Sequence, residues 1–229
     1  MNALEEKEMF EQNKKVLVVA PHPDDEVLGV GGTIARFSSI GAKICVLIIT
    51  RGSDEELTKR NRSDALEAHR ILGVSETRFL DFPAAGLDQT PHAKLNQALS
   101  DAFSAWRPDV LFLPFQGDIH RDHKEVFESA LVAVRPNNKA FPRTVACYET
   151  LSETNWNAPF SEPYFRPSMY LSIEGFLREK IEAFRKFSLQ VQKWPHERSV
   201  EGIEALAMHR GATVRLQAAE AFMLVRHVI

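Results

Sequence analysis

The fold is decided by residues 15–36, KVLVVAPHPDDEVLGVGGTIAR. The stretch opens with an apolar, β-branched run over residues 16–20, which predicts a buried parallel strand. Pro21 and Pro23 then push the chain out of the α region, and a glycine cluster leads into a helical pattern from Thr33 onward. Strand, polar loop and helix follow in that order, so the loop lies at the carboxyl end of a strand, where open α/β sheets bind ligands.

This loop concentrates titratable side chains. One imidazole and three carboxylates fall within five residues, namely His22, Asp24, Asp25 and Glu26. Such a concentration disfavours folding unless a bound cation or a catalytic reaction uses the groups. We expect Glu26 to cap the following helix or to support a ligand rather than to bind the cation itself.

Length and composition limit the class of protein. The 229 residues suit one α/β domain, with 44% hydrophobic and 26% charged residues. A net charge of −3 gives no sign of a nucleic-acid partner, and no apolar run approaches the ~20 residues that membrane insertion needs. We expect a charged lead-in over residues 1–14, without the apolar core of a secretory signal, and a single domain over 15–229.

The cysteine content indicates a reducing compartment. Cys45 and Cys147 are the two cysteines of the chain, and both lie in apolar, strand-like runs. They exclude a disulfide framework and predict buried free thiols in a cytoplasmic protein.

Strand-like and helical patterns alternate along the rest of the chain. Strands are predicted at residues 42–50, 78–82, 110–114, 144–148, 169–173 and 219–228, and helices at 54–72, 91–106, 123 to about 135, 174–192 and 199–211. This alternation predicts an α/β fold with a mostly parallel sheet, right-handed crossovers and a small C-terminal annex. Residues 151–167 are rich in Pro, Asn, Ser and aromatic residues and predict a long loop.

A second polar loop, QGDIHRDH at residues 116–123, follows the fourth predicted strand. Because loops at one edge of a parallel sheet can converge, His22, Asp25 and His123 would form a His-Asp-His set. That set suits Zn²⁺, and also Fe²⁺ or Co²⁺. Three protein ligands leave a position for water, and the metal would lower the pKa of that water to ~7.

The remaining polar residues of the two loops have candidate catalytic roles. Asp24 is adjacent to Asp25 and cannot easily bind the same ion with good geometry, so it is the candidate base. His120 and His123 share a helix face if the helix has already begun, and both could bind the metal. We favour His123 as the ligand and His120, as an imidazolium, for stabilising an oxyanion. Asp122 is expected to orient one of these imidazoles.

Together the two loops resemble the LmbE/PIG-L family of metal-dependent N-deacetylases. The PHPDDE stretch and the later HxDH motif are the specific matches, and weaker ones occur at residues 62–65, 72–74, 79–83, 195–199, 207–211 and 219–222. The sequence departs from the family pattern at Asp64, where Glu is usual, at Ala84, where Asp is frequent, and at Glu197, where Pro is usual. None of these three positions is a candidate metal ligand; those are His22, Asp25 and His123, which we call the metal set.

The resemblance implies a Rossmann-like three-layer sandwich with a Zn²⁺ site. It implies removal of the acetyl group from an N-acetylglucosamine-type amino sugar or its conjugate, and it makes a homo-oligomer plausible. By the motifs, His22, Asp25 and His123 carry over as metal ligands, Asp24 as the general base and His120 as the transition-state stabiliser.

Other polar residues are open between a functional and a structural role. Arg51 at a strand end, Arg198 and Arg210 are candidates for substrate binding, and an ion pair or a scaffold role is equally open for each. Trp156 is a candidate for stacking on a sugar. His69, in the middle of a predicted helix, is expected to be an ordinary helix residue.

Other functions remain open at this point. The same metal site could act on a different N-acyl compound, or the motifs could be a relic in a catalytically silent protein. A metal-free nucleotide-binding Rossmann module would use Gly29, Gly31 and Gly32. Their spacing is not G-x-G-x-x-G, and close packing of a helix on a strand explains them equally well.

Overall fold

A seven-stranded sheet with helices on both faces forms the frame of the molecule. The computed structural model describes residues 14–137, 141–158, 160 and 162–229, so residues 1–13 of the expected lead-in lie outside the described residues. The strands are β1 Lys15–Ala20, β2 Lys43–Arg51, β3 Glu76–Pro83, β4 Val110–Pro114, β5 Thr144–Tyr148, β6 Met169–Ser172 and β7 Ala219–His227. The helices are α1 Asp25–Ser39, α2 Glu55–Leu72, α3 His92–Trp106, α4 Arg121–Ala133, α5 Leu177–Phe184 and α6 Val200–Ala212.

The strand order is β3-β2-β1-β4-β5-β7-β6. Strands β1 to β5 pair in parallel, and β7 runs antiparallel to both β5 and β6. The mostly parallel α/β sheet is therefore confirmed, and the C-terminal part adds two strands to that sheet. The chain changes direction across the sheet between β1 and β4, so the loops after these strands face each other at the topological switch point.

Strand β1 illustrates the three layers. Val16 and Val18 face a core formed with α1, α2, α5 and α6, whereas Leu17 and Val19 face a second core formed with α3 and α4. All four side chains are buried. A continuous apolar run is what a parallel strand covered on both faces requires.

The fifth helix is shorter than the sequence pattern predicts. A helix was expected over residues 174–192, but α5 spans Leu177–Phe184. Gly175 precedes it with a φ of +81°. Beyond the helix, the Gln190 side chain accepts a hydrogen bond from the Arg198 guanidinium at 2.8 Å. Contacts of this kind with the chain that follows outweigh the weak helical preference of the segment.

Close packing explains the glycine cluster of α1. A Cβ atom on Gly29 would lie 2.2 Å from Tyr148 Cδ2, and one on Gly32 would lie 2.7 Å from Ile173 Cγ2. Side chains therefore fill the space beside these glycines, which weakens the case for a phosphate-binding turn.

The two cysteines agree with the expectation from the sequence. Cys45 and Cys147 are buried free thiols, and burial raises the pKa of each to about 12. In the described part of the chain, no helix has both the length and the apolar character that crossing a bilayer requires.

A buried ion pair fastens α1 to the C-terminal part of the chain. Lys180 Nζ donates to Glu220 Oε1 at 2.6 Å and to the Leu28 carbonyl at 2.7 Å. The Glu220 carboxylate also accepts the backbone amides of Gly32 and Thr33, at 2.9 and 2.8 Å. Both charges are thus paired and hydrogen-bonded, as their burial requires.

We expect Lys180→Met to lower the free energy of unfolding by about 3–5 kcal/mol, because it leaves a buried carboxylate without its counter-charge. Urea unfolding followed by circular dichroism measures this. The control is Lys186→Met, which removes an exposed ion pair with Glu67 and is expected to cost at most about 1 kcal/mol. Equal losses in the two variants would contradict the importance of the buried pair.

Candidate active site

Three of the predicted site residues meet between β1 and β4. His22 lies in the loop after β1, Asp25 at the start of α1 and His123 in the first turn of α4. One potential ligand atom of each lies within 4.8 Å of the other two. Asp25 Oδ2 is 3.3 Å from His22 Nδ1 and 3.2 Å from His123 Nε2. The structure therefore brings together the set that the two motifs predicted.

Each of these histidines has a carboxylate partner on its other ring nitrogen. His22 Nε2 lies 3.0 Å from Asp122 Oδ2, and His123 Nδ1 lies 2.7 Å from Asp118 Oδ2. The second Asp118 oxygen accepts the Thr154 hydroxyl at 2.6 Å. Partners of this kind fix the ring orientation and the tautomer of imidazoles that bind metals.

Two polar atoms at the centre of the set lack hydrogen bonds. Asp25 Oδ1 and His123 Nε2 are buried and have no hydrogen-bond partner. Leaving such atoms unpaired is costly, and a cation bound by both would offset that cost. Two imidazoles and one carboxylate are a typical donor set for a catalytic Zn²⁺ site and also suit Fe²⁺ or Co²⁺. The residues present therefore fit a divalent metal ion.

The electrostatics of the set favour positive charge. Burial would raise the pKa of Asp25, but His123 and His22 hold it well below its usual value. Burial would likewise lower the pKa of His22, yet its hydrogen bonds to Asp122 and Asp25 raise it to about 9. The same balance of burial against two carboxylates raises the pKa of His123. The surrounding carboxylates thus stabilise a cation at this point.

A second group of potential ligands comprises His22, His120 and Asp122. Asp122, however, already accepts the backbone amides of Ala85 and Leu87 at 2.7 and 3.1 Å. His120 Nδ1 accepts the Asp122 amide at 3.2 Å. These hydrogen bonds already occupy the Asp122 carboxylate oxygens and His120 Nδ1. This second group therefore fits a metal ion less well than His22, Asp25 and His123 do.

His120 is held at the N-terminus of α4, with its ring centroid 4.3 Å from that of His22. Burial and the charge of His22 both lower the pKa of His120. Because Nδ1 accepts an amide hydrogen bond, the neutral ring carries its proton on Nε2. This differs from the imidazolium expected from the sequence, since burial disfavours the charged form.

Asp24 lies beside the set in an unusual backbone conformation. Its φ of 117° and ψ of −28° are left-handed, which costs a non-glycine residue about 1–3 kcal/mol. Burial raises the pKa of its carboxyl well above the usual value, and the Arg198 guanidinium opposes that rise. Arg198 Nη1 donates to Asp24 Oδ2 at 3.1 Å.

Arg198 is engaged by protein acceptors on every side of its guanidinium. Besides Asp24, it donates to Ser152 Oγ at 2.8 Å, to Gln190 Oε1 at 2.8 Å and to Glu153 Oε1 at 3.3 Å. The guanidinium thus binds the candidate base and the loop after β5, and the substrate-binding role of Arg198 stays a prediction.

The other two candidate arginines lie apart from the metal set. Arg210 forms a bidentate pair with Glu149, with N–O distances of 2.8 and 2.6 Å. It lines a cavity of about 280 Å³ together with Phe115 and Tyr164. Arg51 is exposed at the end of β2. In the part of the chain that the structure describes, neither arginine forms a hydrogen bond with His22, Asp25 or His123.

Sequence reasoning missed three residues of the site. Asp118 lies in the QGDIHRDH motif, five residues before His123. That spacing was the feature of the sequence that could have identified it. Glu153 lies in a loop without periodicity, and burial raises its pKa. His69, expected to be an ordinary helix residue, is buried and lies 3.0 Å from a Glu26 oxygen.

Comparison with known proteins agrees with this geometry. The sequence profile of the family described as PIG-L: GlcNAc-PI de-N-acetylase matches residues 17–134, which is more than half of the chain. A diacetylchitobiose deacetylase of Thermococcus kodakarensis is 31% identical over 131 residues, covering 51% of this chain and 48% of that protein.

Two further similarities extend the comparison. A 1D-myo-inositol 2-acetamido-2-deoxy-alpha-D-glucopyranoside deacetylase of Kineococcus radiotolerans is 30% identical over 167 residues, covering 56% of this chain and 46% of that protein. The alignments thus span about half the length of these curated relatives. The crystal structure of a conserved protein from Thermus thermophilus matches with a TM-score of 0.77 and 29% identity, covering 93% of this chain and 96% of that one.

We expect Asp118→Asn to weaken Zn²⁺ binding by about 10- to 100-fold, because the His123 ring loses its charged partner. Competition with a chromophoric chelator measures the affinity. Asp88→Asn is the control, since Asp88 pairs with Arg121 on the surface and should leave the affinity unchanged. An unchanged affinity in Asp118→Asn would argue against His123 as a ligand.

Proposed function

The chain belongs to the PIG-L family, and on that premise we propose that it is a metal-dependent N-deacetylase. Its substrate is a small N-acetylated amino sugar of the N-acetylglucosamine type, or a conjugate of one. The observation that carries this proposal is the convergence of two imidazoles and a carboxylate, with unpaired buried atoms, beside the further carboxyl of Asp24.

His22, Asp25 and His123 would hold the metal ion, with Zn²⁺ as the proposed ion and Fe²⁺ or Co²⁺ as alternatives. When bound, the ion polarises the acetyl carbonyl and lowers the pKa of a water at the site. Asp118 and Asp122 orient the two imidazoles through their other ring nitrogens.

Asp24 acts as the general base. One of its oxygens is held by Arg198, and the other takes a proton from the water that adds to the acetyl carbonyl carbon. The C–N bond then breaks, and the leaving amine takes the proton that Asp24 received from the water. The products are acetate and the free amino sugar.

His120 donates a hydrogen bond from Nε2 to the oxygen that becomes negatively charged during the addition. Its position is set by the Asp122 amide on Nδ1, so the ring need not reorganise as charge develops. A neutral imidazole suffices for this role, because the proton on Nε2 is present in the uncharged ring.

The substrate class rests on two relatives, a deacetylase of diacetylchitobiose and a deacetylase of a 2-acetamido-2-deoxyglucopyranoside. Arg51 and the cavity beside Arg210 remain candidates for contact with parts of the substrate beyond the acetamido group. Trp156 lies edge-on to His196 with 52% of its surface exposed, which suits stacking on a sugar ring.

The remaining parts of the proposal concern the setting of the enzyme. Residues 15–229 would act as one domain, supported by the pairing of β7 with β5 in a single sheet. The buried free thiols support a cytoplasmic location. Association into a homo-oligomer is proposed from the resemblance alone, and sedimentation equilibrium would test it.

The direct test combines metal content with acetate release from N-acetylglucosamine and its glycosides. We expect about one metal per chain in the wild type and in Asp24→Ala, with kcat reduced by at least about 100-fold in the variant, because the base is lost while the ligands remain. Chelation should abolish activity. Metal binding without acetate release would redirect the search to other N-acyl compounds, and failure to bind Zn²⁺ after loading would overturn the proposal.

We expect His120→Ala to lower kcat by about 100- to 1,000-fold, the usual effect of removing one donor to an oxyanion. Steady-state acetate release measures kcat, and metal content should stay at the wild-type value. His92→Ala is the control, because His92 pairs with Glu125 at the surface. A loss of metal in His120→Ala would assign His120 to the ligand set instead.

A further inference from the structure

We propose that the buried pair of Glu26 and His69 is a positioning device for the general base. The pair holds the Asp24 backbone in its left-handed conformation and so directs the Asp24 carboxylate to the metal site. This inference rests on the proposed function, because it assigns a purpose to the position of Asp24.

A chain of three hydrogen bonds connects Asp24 to the neighbouring elements. Glu26 Oε2 accepts the Asp24 backbone amide at 3.1 Å. Glu26 Oε1 lies 3.0 Å from His69 Nε2, in the middle of α2. His69 Nδ1 lies 2.8 Å from the Thr77 hydroxyl, on β3. The proposal assigns His69 Nε2 as the donor to Glu26, with Nδ1 accepting the Thr77 hydroxyl.

The backbone of Asp24 departs from what a helix N-cap normally adopts. An Asp at this position usually has an extended backbone, and its side chain accepts an amide of the first helical turn. Asp24 has a φ of 117°, and its side chain makes no capping hydrogen bond. The Asp24 carboxylate is therefore not used to cap its own helix, and its partner is Arg198 instead.

This conformation leaves backbone groups that need partners. The Asp24 carbonyl is satisfied by the amides of Val27 and Leu28, at 3.0 and 2.9 Å. The Asp24 amide is satisfied by Glu26, whose side chain is fully buried. A buried amide without an acceptor is rarely tolerated, so loss of a correctly placed Glu26 carboxylate would favour relaxation of Asp24 toward an ordinary N-cap.

His69 is the residue that places this carboxylate. It is 2% exposed, and the neighbouring inward positions of α2 are the apolar Ala65, Ala68 and Leu72. An apolar residue would fill this position without the cost of burying a polar group. A hydrogen-bond donor at position 69 is explained by the Glu26 carboxylate, which lies next to the His69 ring.

The principal test is His69→Phe, which keeps a ring and removes the donor. We expect kcat for acetate release to fall by about 10- to 100-fold with KM and metal content unchanged, because small misplacements of a catalytic group have effects of this size. His69→Gln retains an N–H donor and should recover most of the rate. The matched control is Leu72→Ala, which disturbs the same helix without removing a hydrogen bond of Glu26. Measured well below the unfolding temperature of this variant, its kcat should equal that of the wild type.

A second readout is independent of catalysis. Amide hydrogen exchange measured by NMR should be faster at Asp24 in His69→Phe than in the wild type and unchanged at Leu28. Unchanged kcat, or unchanged exchange at Asp24, would overturn the positioning role. If the wild type releases no acetate, the proposed function fails, and faster exchange at Asp24 in the variant still supports the hold on the backbone.

Thr77→Val provides a milder variant in case His69→Phe does not fold. It removes the hydroxyl that fixes the His69 ring and adds no bulk. We expect kcat to fall by about 3- to 10-fold, which corresponds to the loss of one hydrogen bond, together with faster exchange at Asp24. An unchanged kcat and exchange rate in this variant would count against the chain of contacts.

Discussion

The contact of the Asp25 carboxylate with two imidazoles at the switch point is the interaction on which the rest of the site depends. Three charged groups share a volume from which water is largely excluded, and such a group is stable only if every charge has a partner. Asp118 and Asp122 meet this requirement from one side. Asp25 Oδ1 and His123 Nε2 still make no hydrogen bond, which is what distinguishes a site for a cation from a network of satisfied ion pairs.

The position of Asp24 follows from the same requirement. Burial and the charge of the neighbouring Asp25 both raise the pKa of Asp24, and the Asp24 backbone is left-handed. Arg198 then binds the Asp24 side chain, and Glu26 binds its amide. The strain of the turn is thus offset by one contact from a distant part of the chain, Arg198, and one from Glu26, two residues away. In the proposed reaction, Asp25 therefore binds the metal ion and Asp24 acts as the base, although the two residues are adjacent.

Several features of the fold were predictable because they depend on local patterns. The apolar runs of β1 and β4 and the polar loops after them are visible in the sequence, and the parallel sheet brings those loops together by a general rule. The extent of α5 was not predictable, since the helical pattern continues past Phe184 while the chain beyond it is non-helical and Gln190 binds Arg198, eight residues further on. The role of His69 was equally hidden, because its partner Glu26 is 43 residues away.

The sequence by itself determined the alternation of strands and helices, the family resemblance and the composition of the His-Asp-His set, because each follows from residue types at short spacing. Apart from Asp122, which the sequence predicted to orient an imidazole, the tertiary structure decided which distant groups surround that set. Arg198 became a partner of the candidate base, and Lys180 and Glu220 became a buried pair across α1. These outcomes depend on contacts between residues far apart in the chain, for which local spacing and propensity carry no information.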